Sequence, residues 1–536
     1  MANMNISFTT NAAVDGESGM LSKWLRQLLA KPYTSLAIAM ALAAVIRLYL
    51  LWQYYCISSD GVRYIKAAQD FYAGDVSAGL ASVYPPLYPL LIAALYPLVG
   101  NWELTGQALS ILAGVFVLIP IFVLLRRIYG SNVAVVASFL AAMSPFVARY
   151  SAHVRTEIPY LFLSTTALLL FHSGIKNLLW SRFFYGGLLA GLAYLMRPEG
   201  VGFLMVVPLA LGLECWIKKT VSLRGVFLGT LLTFIGFVVV ATPYAVHLAA
   251  ESGDWVSISR KTNLAIWYGF KDTGFLNSEE LAGIIAPDAP GLLQIALTHP
   301  IAYLQKVAWD IFPSLGVYFE TVHYAYLPFL LLALWLAVRS GEFWRRDDHL
   351  LFIFVLFYLL GFAALYVNLR YALQLVPASL GWVAIGILWC FDENNTKRIL
   401  SQKNFRLTIA VVTIAFIGGT LGKALRPISP EKAHVRQSGV YLKSLRTSKD
   451  LKVLVFDDRI TFYADAQAVS LYNRDEASLI SALQSGEVDY LATEMEPWTE
   501  RFPALAKNPR GYGLFLEKEF RVSAKGKILL FKIVRT

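Results

Sequence analysis

Four short stretches of this chain place ionisable side chains where a long apolar sequence meets polar sequence. ISSDGVRYIKAAQDF, at 57–71, carries Asp60, Arg63, Lys66 and Asp70 directly after the apolar run LAIAMALAAVIRLYLLWQYY at 36–55. Asp60 reads either as an ordinary interfacial loop acid or as a carboxylate that takes a proton from a hydroxyl. The residues after it, YIKAAQDFYAG, bring Tyr64, Ala67, Ala68 and Phe71 onto one helical face, as a helix lying on a membrane would need. VYPPLYPLL (83–91) adds a rigid turn nearby. In HVRTEIPYLFL, Glu157 opens an apolar run with Pro159 just inside. It is either a helix N-terminal acid favoured by the macrodipole or a second carboxylate facing the same cavity as Asp60. YLMRPEGVGFLM sets Arg197 and Glu199 between two apolar helices, as a turn-capping pair or as part of an anion site. NLRYALQLVPASLG opens with Arg370–Tyr371, a snorkelling arginine or one that grips phosphate bidentately.

Other chemistries find little support. The seven histidines show no HxxxH or HExxH spacing, and there is no Walker loop, no GxGxxG after a strand and no nucleophile elbow. Cys56, Cys215 and Cys390 lie far apart without CxxC spacing, so they read as packing residues and no metal site is assigned. Asp457 and Asp458 follow a strand-like run, a place for ligand-binding acids in α/β sheets and equally for a solvated turn.

The elements that position these residues follow from composition. Of 536 residues, 57% are hydrophobic and 15% charged, against roughly 25% charged in a soluble domain. The apolar excess lies in long blocks, so the expected fold is an α-helical polytopic membrane protein. About eleven spans are read, at 35–55, 104–125, 131–148, 158–172, 183–197, 199–216, 225–248, 324–338, 350–367, 371–390 and 407–422. The proline-broken piece 86–99 is expected to be a membrane-surface or re-entrant helix. The net charge of +11 comes from bases gathered in short loops, such as Arg126–Arg127, Lys218–Lys219 and Lys397–Arg398. That is the membrane pattern and argues for a lipid bilayer and no nucleic acid as partner. It sets a cytoplasmic N-terminus (1–34) and a transmembrane domain (35–422) with a first outer loop at 57–103 and a long outer segment at 249–323. A C-terminal domain (423–536) is expected on the outer face.

The tail has a different texture. VLVFDDRITFYA (453–464) reads as strand then turn, ASLISALQSGEVDYLAT (477–493) as helix, Gly turn and strand, and LFLEKEFRVSAKGKILLFKIV (514–534) as a hairpin turning at Ala524–Lys525–Gly526. Together they predict a small α/β domain.

SSDGVRYIKAA, YPPLYPLLIAALYPLVG, VRTEIPYLFL, GLAYLMRPEGVG and NLRYALQLVPASL, in this order over roughly 35–390, resemble the polytopic glycosyltransferases that take sugar from a polyprenyl phosphate. That superfamily includes protein O-mannosyltransferases and the lipid A aminoarabinose transferase. The resemblance implies transfer, with inversion, from a polyprenyl-phosphate sugar donor to a glycan, lipid or protein acceptor outside the cytoplasm, in a bacterial inner (plasma) membrane. It implies Asp60 as base, assisted by Glu157, and Arg197 and Arg370 on the phosphate, with Tyr64, Glu199 and Tyr371 beside the substrate. Many relatives follow the first acid with a second, where this chain has Gly61; a divalent metal is left open as a cofactor. The competing reading is a transporter or flippase of lipid-linked glycans, although no internal repeat is evident.

Overall fold

The computed structural model describes residues 27–252, 259–260, 262–285, 292–340, 347–392, 415–445, 451–472, 474–523 and 526–534. Most of the N-terminal segment, the start of the expected 407–422 span and the Ala524–Lys525 tip of the hairpin lie outside them.

Six helical stretches are long and apolar enough to cross a bilayer: Pro32–Trp52, Trp102–Tyr129, Glu157–Asn177, Pro198–Lys218, Leu223–Glu251 and Leu369–Phe391. Two bent pairs raise the number to eight if each counts once. Ser131–Met143 with Pro145–Ser151 bends by 55°, and Pro300–Val322 with Leu327–Arg339 by 114°. Helix length thus supports six to eight spans among the described residues, against the eleven read from apolar runs. Trp180–Met196 and His349–Ala364 have 17 and 16 residues, hence only ~26 and ~24 Å of helix. The long 249–323 segment is itself substantially helical and ends in Pro300–Val322. Exposed Phe227, Phe234, Val239, Trp335 and Val338 form surface that water disfavours and lipid tails accept. This is an integral membrane protein.

Packing within the bundle depends on close backbone approach. Trp180–Met196 meets Leu223–Ser252 through Gly187, Gly191 and Gly236. A Cβ at Gly187 would lie 2.3 Å from the Thr233 carbonyl oxygen, and one at Gly236 2.2 Å from that of Phe184. With no hydrophobic drive between helices in lipid, such contacts supply van der Waals attraction instead. Arg47, fully buried in the first helix, answers the Ser144–Pro145 break. Proline has no N–H to donate and leaves carbonyls at the end of the preceding helix without partners. Arg47 Nη1 donates to the Ala142 oxygen (3.3 Å) and to that of Ala43 (3.0 Å), while Nε donates to Ser151 Oγ (3.1 Å).

The C-terminal unit is a five-stranded mixed sheet in the order β2-β1-β3-β5-β4. Its strands are β1 Lys452–Val455, β2 Gln467–Ser470, β3 Tyr490–Glu494, β4 Leu514–Ser523 and β5 Gly526–Ile533. β1 pairs in parallel with β2 and β3, and β5 runs antiparallel to β3 and β4. The expected turn after β1 is instead a helix, Asp458–Ala464, because Asp457 caps it by accepting from Arg459 N (3.0 Å). Strand alternation divides two cores. Leu454, Leu529 and Phe531 pack with Leu479, Trp498 and Phe502. Val453, Val455, Ile528 and Leu530 join Ile460 and Tyr463, and this cluster continues into Cys56, Ile57, Tyr64, Tyr84 and Tyr88 of the membrane part. The domain is therefore seated on the segment that carries Asp60. Cys56 belongs to this core, and burial pushes its thiol up to about 12.

Candidate active site

Ser58 Oγ accepts from Gly61 N (3.1 Å) and caps helix Ser59–Tyr72, so Asp60 stands in the first turn of a helix rather than in the loop before it. Tyr64, Ala67 and Ala68 are buried and Phe71 is half-buried, which fixes the helix on its expected face. Asp60 Oδ1 accepts from the Tyr84 hydroxyl, and Oδ2 from Arg370 Nη1 at 2.5 Å. Arg155 Nη2 stands 3.9 Å from the same carboxylate. Burial, and then the Asp60 charge, push the Tyr84 phenol well up, so it remains a donor.

Glu157, 4% exposed, is surrounded by guanidinium groups: Arg197 Nη1 at 3.3 Å, Arg155 Nη1 at 3.8 Å and Arg370 Nη1 at 4.0 Å. Arg197 also donates to Glu199 Oε1 at 2.7 Å and lies over the Tyr371 ring, 5.3 Å from its centroid. Tyr64 OH and Arg197 Nη1 both reach Thr156 Oγ1, at 3.2 and 3.3 Å. Burial and the Glu157 charge push the Tyr64 phenol up. The seven residues singled out from the sequence thus share one neighbourhood. Asp60, Glu157 and Glu199 alternate in it with Arg155, Arg197 and Arg370, so the six charges sum to zero.

Local structure aims each group. Arg197 is extended (φ −154°) before the 3-10 turn Pro198–Gly202. A side chain at Gly200 would bring its Cβ within 2.3 Å of Tyr194 N. Asn368 Oδ1 accepts from Arg370 N (3.1 Å) at the start of the last long helix. The chain just before it is held by buried Lys306, which donates to the Ala363 and Leu365 oxygens (2.7 and 2.8 Å) and pairs with Asp310 (3.1 Å).

Arg155 and Tyr84 were absent from the residues proposed on sequence. Arg155 had a signal, because it stands two positions before Glu157 and falls on the same side of the membrane in the expected topology. Tyr84 had only its place in VYPP. The residues present do not make a metal cage. Among the described residues no three His, Cys, Asp or Glu side chains converge. Asp60 is already held by a guanidinium and a phenol, and a Cβ at Gly61 would meet Ile57 Cγ1 at 2.8 Å.

Comparison with known proteins follows this geometry. Residues 83–242 match the family model described as dolichyl-phosphate-mannose-protein mannosyltransferase. That stretch includes Tyr84, Arg155, Glu157, Arg197 and Glu199. The fold is similar to that of ArnT from Cupriavidus metallidurans bound to undecaprenyl phosphate (TM-score 0.61, 13% identity, 94% of this chain and 98% of that one). It is also similar to the Archaeoglobus fulgidus oligosaccharyltransferase complex with Zn and sulfate (TM-score 0.56, 15% identity, 92% and 72%). A third likeness is to the A. fulgidus oligosaccharyltransferase AglB with an inhibitory peptide and a dolichol-phosphate (TM-score 0.54, 13% identity, 95% and 74%). At these identities the likeness is one of fold. No curated protein sequence matches the chain.

Proposed function

We propose that the protein is a membrane glycosyltransferase that moves a sugar from a polyprenyl-phosphate donor to an acceptor hydroxyl on the outer face of the membrane, with inversion. The observation that carries this is Arg370, which bridges Asp60 (2.5 Å) and Glu157 (4.0 Å) at one end of the bundle. A guanidinium that holds carboxylates has the donor geometry to grip a phosphate in their place. The fold likeness to proteins solved with undecaprenyl phosphate and dolichol-phosphate and the mannosyltransferase family match support the same reading.

An arriving donor phosphate competes for Arg370 and, behind it, for Arg155 and Arg197. As the guanidinium groups turn to phosphate, Asp60 is released to accept a proton. The acceptor oxygen attacks the anomeric carbon, its proton passes to Asp60, and the bond from that carbon to the phosphate oxygen breaks. The electron pair leaves with the polyprenyl phosphate, whose growing charge the arginines stabilise. Attack opposite the leaving group inverts the anomeric centre. Glu157, enclosed by three guanidinium groups, holds them in register, and Tyr84 orients Asp60. Asp60→Asn keeps the shape and removes the base. Transfer from a polyprenyl-phosphate sugar in proteoliposomes should fall by ~10²–10⁴-fold, the usual worth of a general base, while undecaprenyl phosphate still binds. Full activity in this variant would remove Asp60 from the mechanism.

The same reading includes about eleven crossings, a cytoplasmic N-terminus, and placement of the site and C-terminal domain outside the cytoplasm of a bacterial cell. The loop bases support it. A cysteine introduced as Glu431→Cys, at an exposed position, should react with a membrane-impermeant maleimide in intact spheroplasts. Protection until the membrane is broken would reverse the orientation.

A further inference from the structure

Tyr54, at the end of the first membrane helix, is 6% exposed, yet its hydroxyl has no hydrogen-bond partner among the described residues. A buried phenol of this kind is costly unless something else answers it. Tyr54 also lines open space in two places. A recess of about 180 Å³ lies between Tyr54, Glu103, Gln107 and Arg436. A wider groove of about 710 Å³ is lined by Tyr54, Tyr55, Arg436, Tyr441, Lys518 and Phe520. The groove falls within the ~300–1,000 Å³ of ligand clefts.

The lining is specific in its chemistry. Four aromatic side chains contribute rings, and no carboxylate lines the groove. Lys518 Nζ lies 4.2 Å from the Tyr441 ring centroid and makes no ion pair among the described residues. Arg436 lies 5.1 Å from the Tyr463 centroid, with its nearest acid, Glu103, at 3.9 Å. Aromatic faces carry negative π density, which suits the slightly positive C–H faces of sugar rings. Lys518 calls for an anion, which a neutral glycan or an apolar peptide would not supply, and Arg436, paired with Glu103 at 3.9 Å, stands in the same groove to share it.

The groove is tied through the chain to the segment that carries the candidate active site. Tyr55 and Asp60 are five residues apart, at most ~18 Å of extended chain. Tyr463, beneath Arg436, accepts from Ile57 N at 2.8 Å, one residue before the Ser58 cap of the Asp60 helix.

We infer that the groove between the first helix end and the C-terminal domain binds the acceptor, and that this acceptor is an acidic saccharide bearing carboxylate or phosphate. The identification as acceptor rests on the transferase reading above; the binding itself does not. Calorimetry on the full-length protein in phosphatidylcholine nanodiscs tests it, with hexagalacturonate, phosphorylated maltohexaose and plain maltohexaose as probes. One or both acidic probes should bind at least ~10-fold more tightly than the neutral one, as one charge-assisted contact would provide. Lys518→Gln, an exposed strand position, and Arg436→Gln should each weaken the acidic probe by a similar factor, with undecaprenyl phosphate binding unchanged. Equal binding of neutral and acidic probes, or unaltered affinity in both variants, would overturn the inference. Loss of the acidic probe on adding phosphatidylglycerol to the discs would overturn it too, by making the groove a phospholipid headgroup site. Because binding is read without turnover, Asp60→Asn should leave it intact. Failure of the groove and failure of the transferase reading are thus separate results.

Discussion

Asp60 is held by two donors of different kinds, the Tyr84 hydroxyl and the Arg370 guanidinium. Tyr84 can stay where it is during a reaction, while Arg370 has to change partner. Its Nη1 alone reaches both carboxylates, whereas its planar fork can grip a phosphate bidentately, which a point-like ammonium cannot reproduce. Arg370→Lys should therefore weaken undecaprenyl phosphate binding by ~10-fold or more, measured by native mass spectrometry or calorimetry, although charge is conserved. Unchanged affinity would take the phosphate role from this residue. Much of the candidate site was legible in the sequence because charge in an apolar chain is expensive, and Asp60, Glu157, Arg197, Glu199 and Arg370 advertise themselves. Arg155 was less visible because an arginine in a short loop looks like any topology-setting base. Tyr84 was hidden because a tyrosine beside prolines has no special cost until its hydroxyl meets Asp60.

Among the elements, apolar runs located most helices but not their breaks. The run at 131–148 is two helices, because Pro145 ends the first and Arg47 answers a carbonyl there. A lone arginine within an apolar run is the sign that some neighbouring helix lacks a donor, but the sequence does not say which. The Asp458–Ala464 helix was read as a turn since Asp457 looked like a turn acid, whereas its carboxylate caps the helix. Glycine spacing held information that the apolar runs did not: Gly187 and Gly191 are one helical turn apart and both meet Leu223–Ser252. Gly187→Val should force these helices apart and cost ~1–3 kcal/mol or more, as overpacking does. The readout is a lower midpoint of thermal unfolding in detergent, and an unchanged midpoint would mean the contact is not tight.

For the whole molecule, the C-terminal domain is less independent than its composition suggested. Its hairpin and its helix-turn-strand unit were readable from alternation and glycine placement. That one sheet face shares a core with Ile57, Tyr64 and Tyr84 was not, since the pairing joins residues some four hundred positions apart. His434, 2% exposed and with neither ring nitrogen bonded among the described residues, lies in this domain. Burial, and then the charge of Lys432, push its imidazole below the ordinary 6.5. The unfolded chain takes up a proton near pH 6.5 that the folded domain refuses. The stability that depends on neutral His434 is thus fully present above pH 6.5 and is lost as pH falls below it, by up to ~1.4 kcal/mol per pH unit. Unfolding of the full chain followed from about pH 7 to about 5 should show this slope, and His434→Gln should flatten it; an identical slope in the variant would assign the effect elsewhere.

The bond from Ile57 N to the Tyr463 hydroxyl spans 406 positions, and this has a consequence for biogenesis. The segment carrying Asp60 leaves the ribosome some four hundred residues ahead of the side chain that braces it. At ~5–20 residues per second, the Asp60 segment of a nascent chain spends tens of seconds with its brace missing. Chains stalled or cleaved before Tyr463 would hold the Asp60 segment without the hydrogen bond and the shared core that brace it.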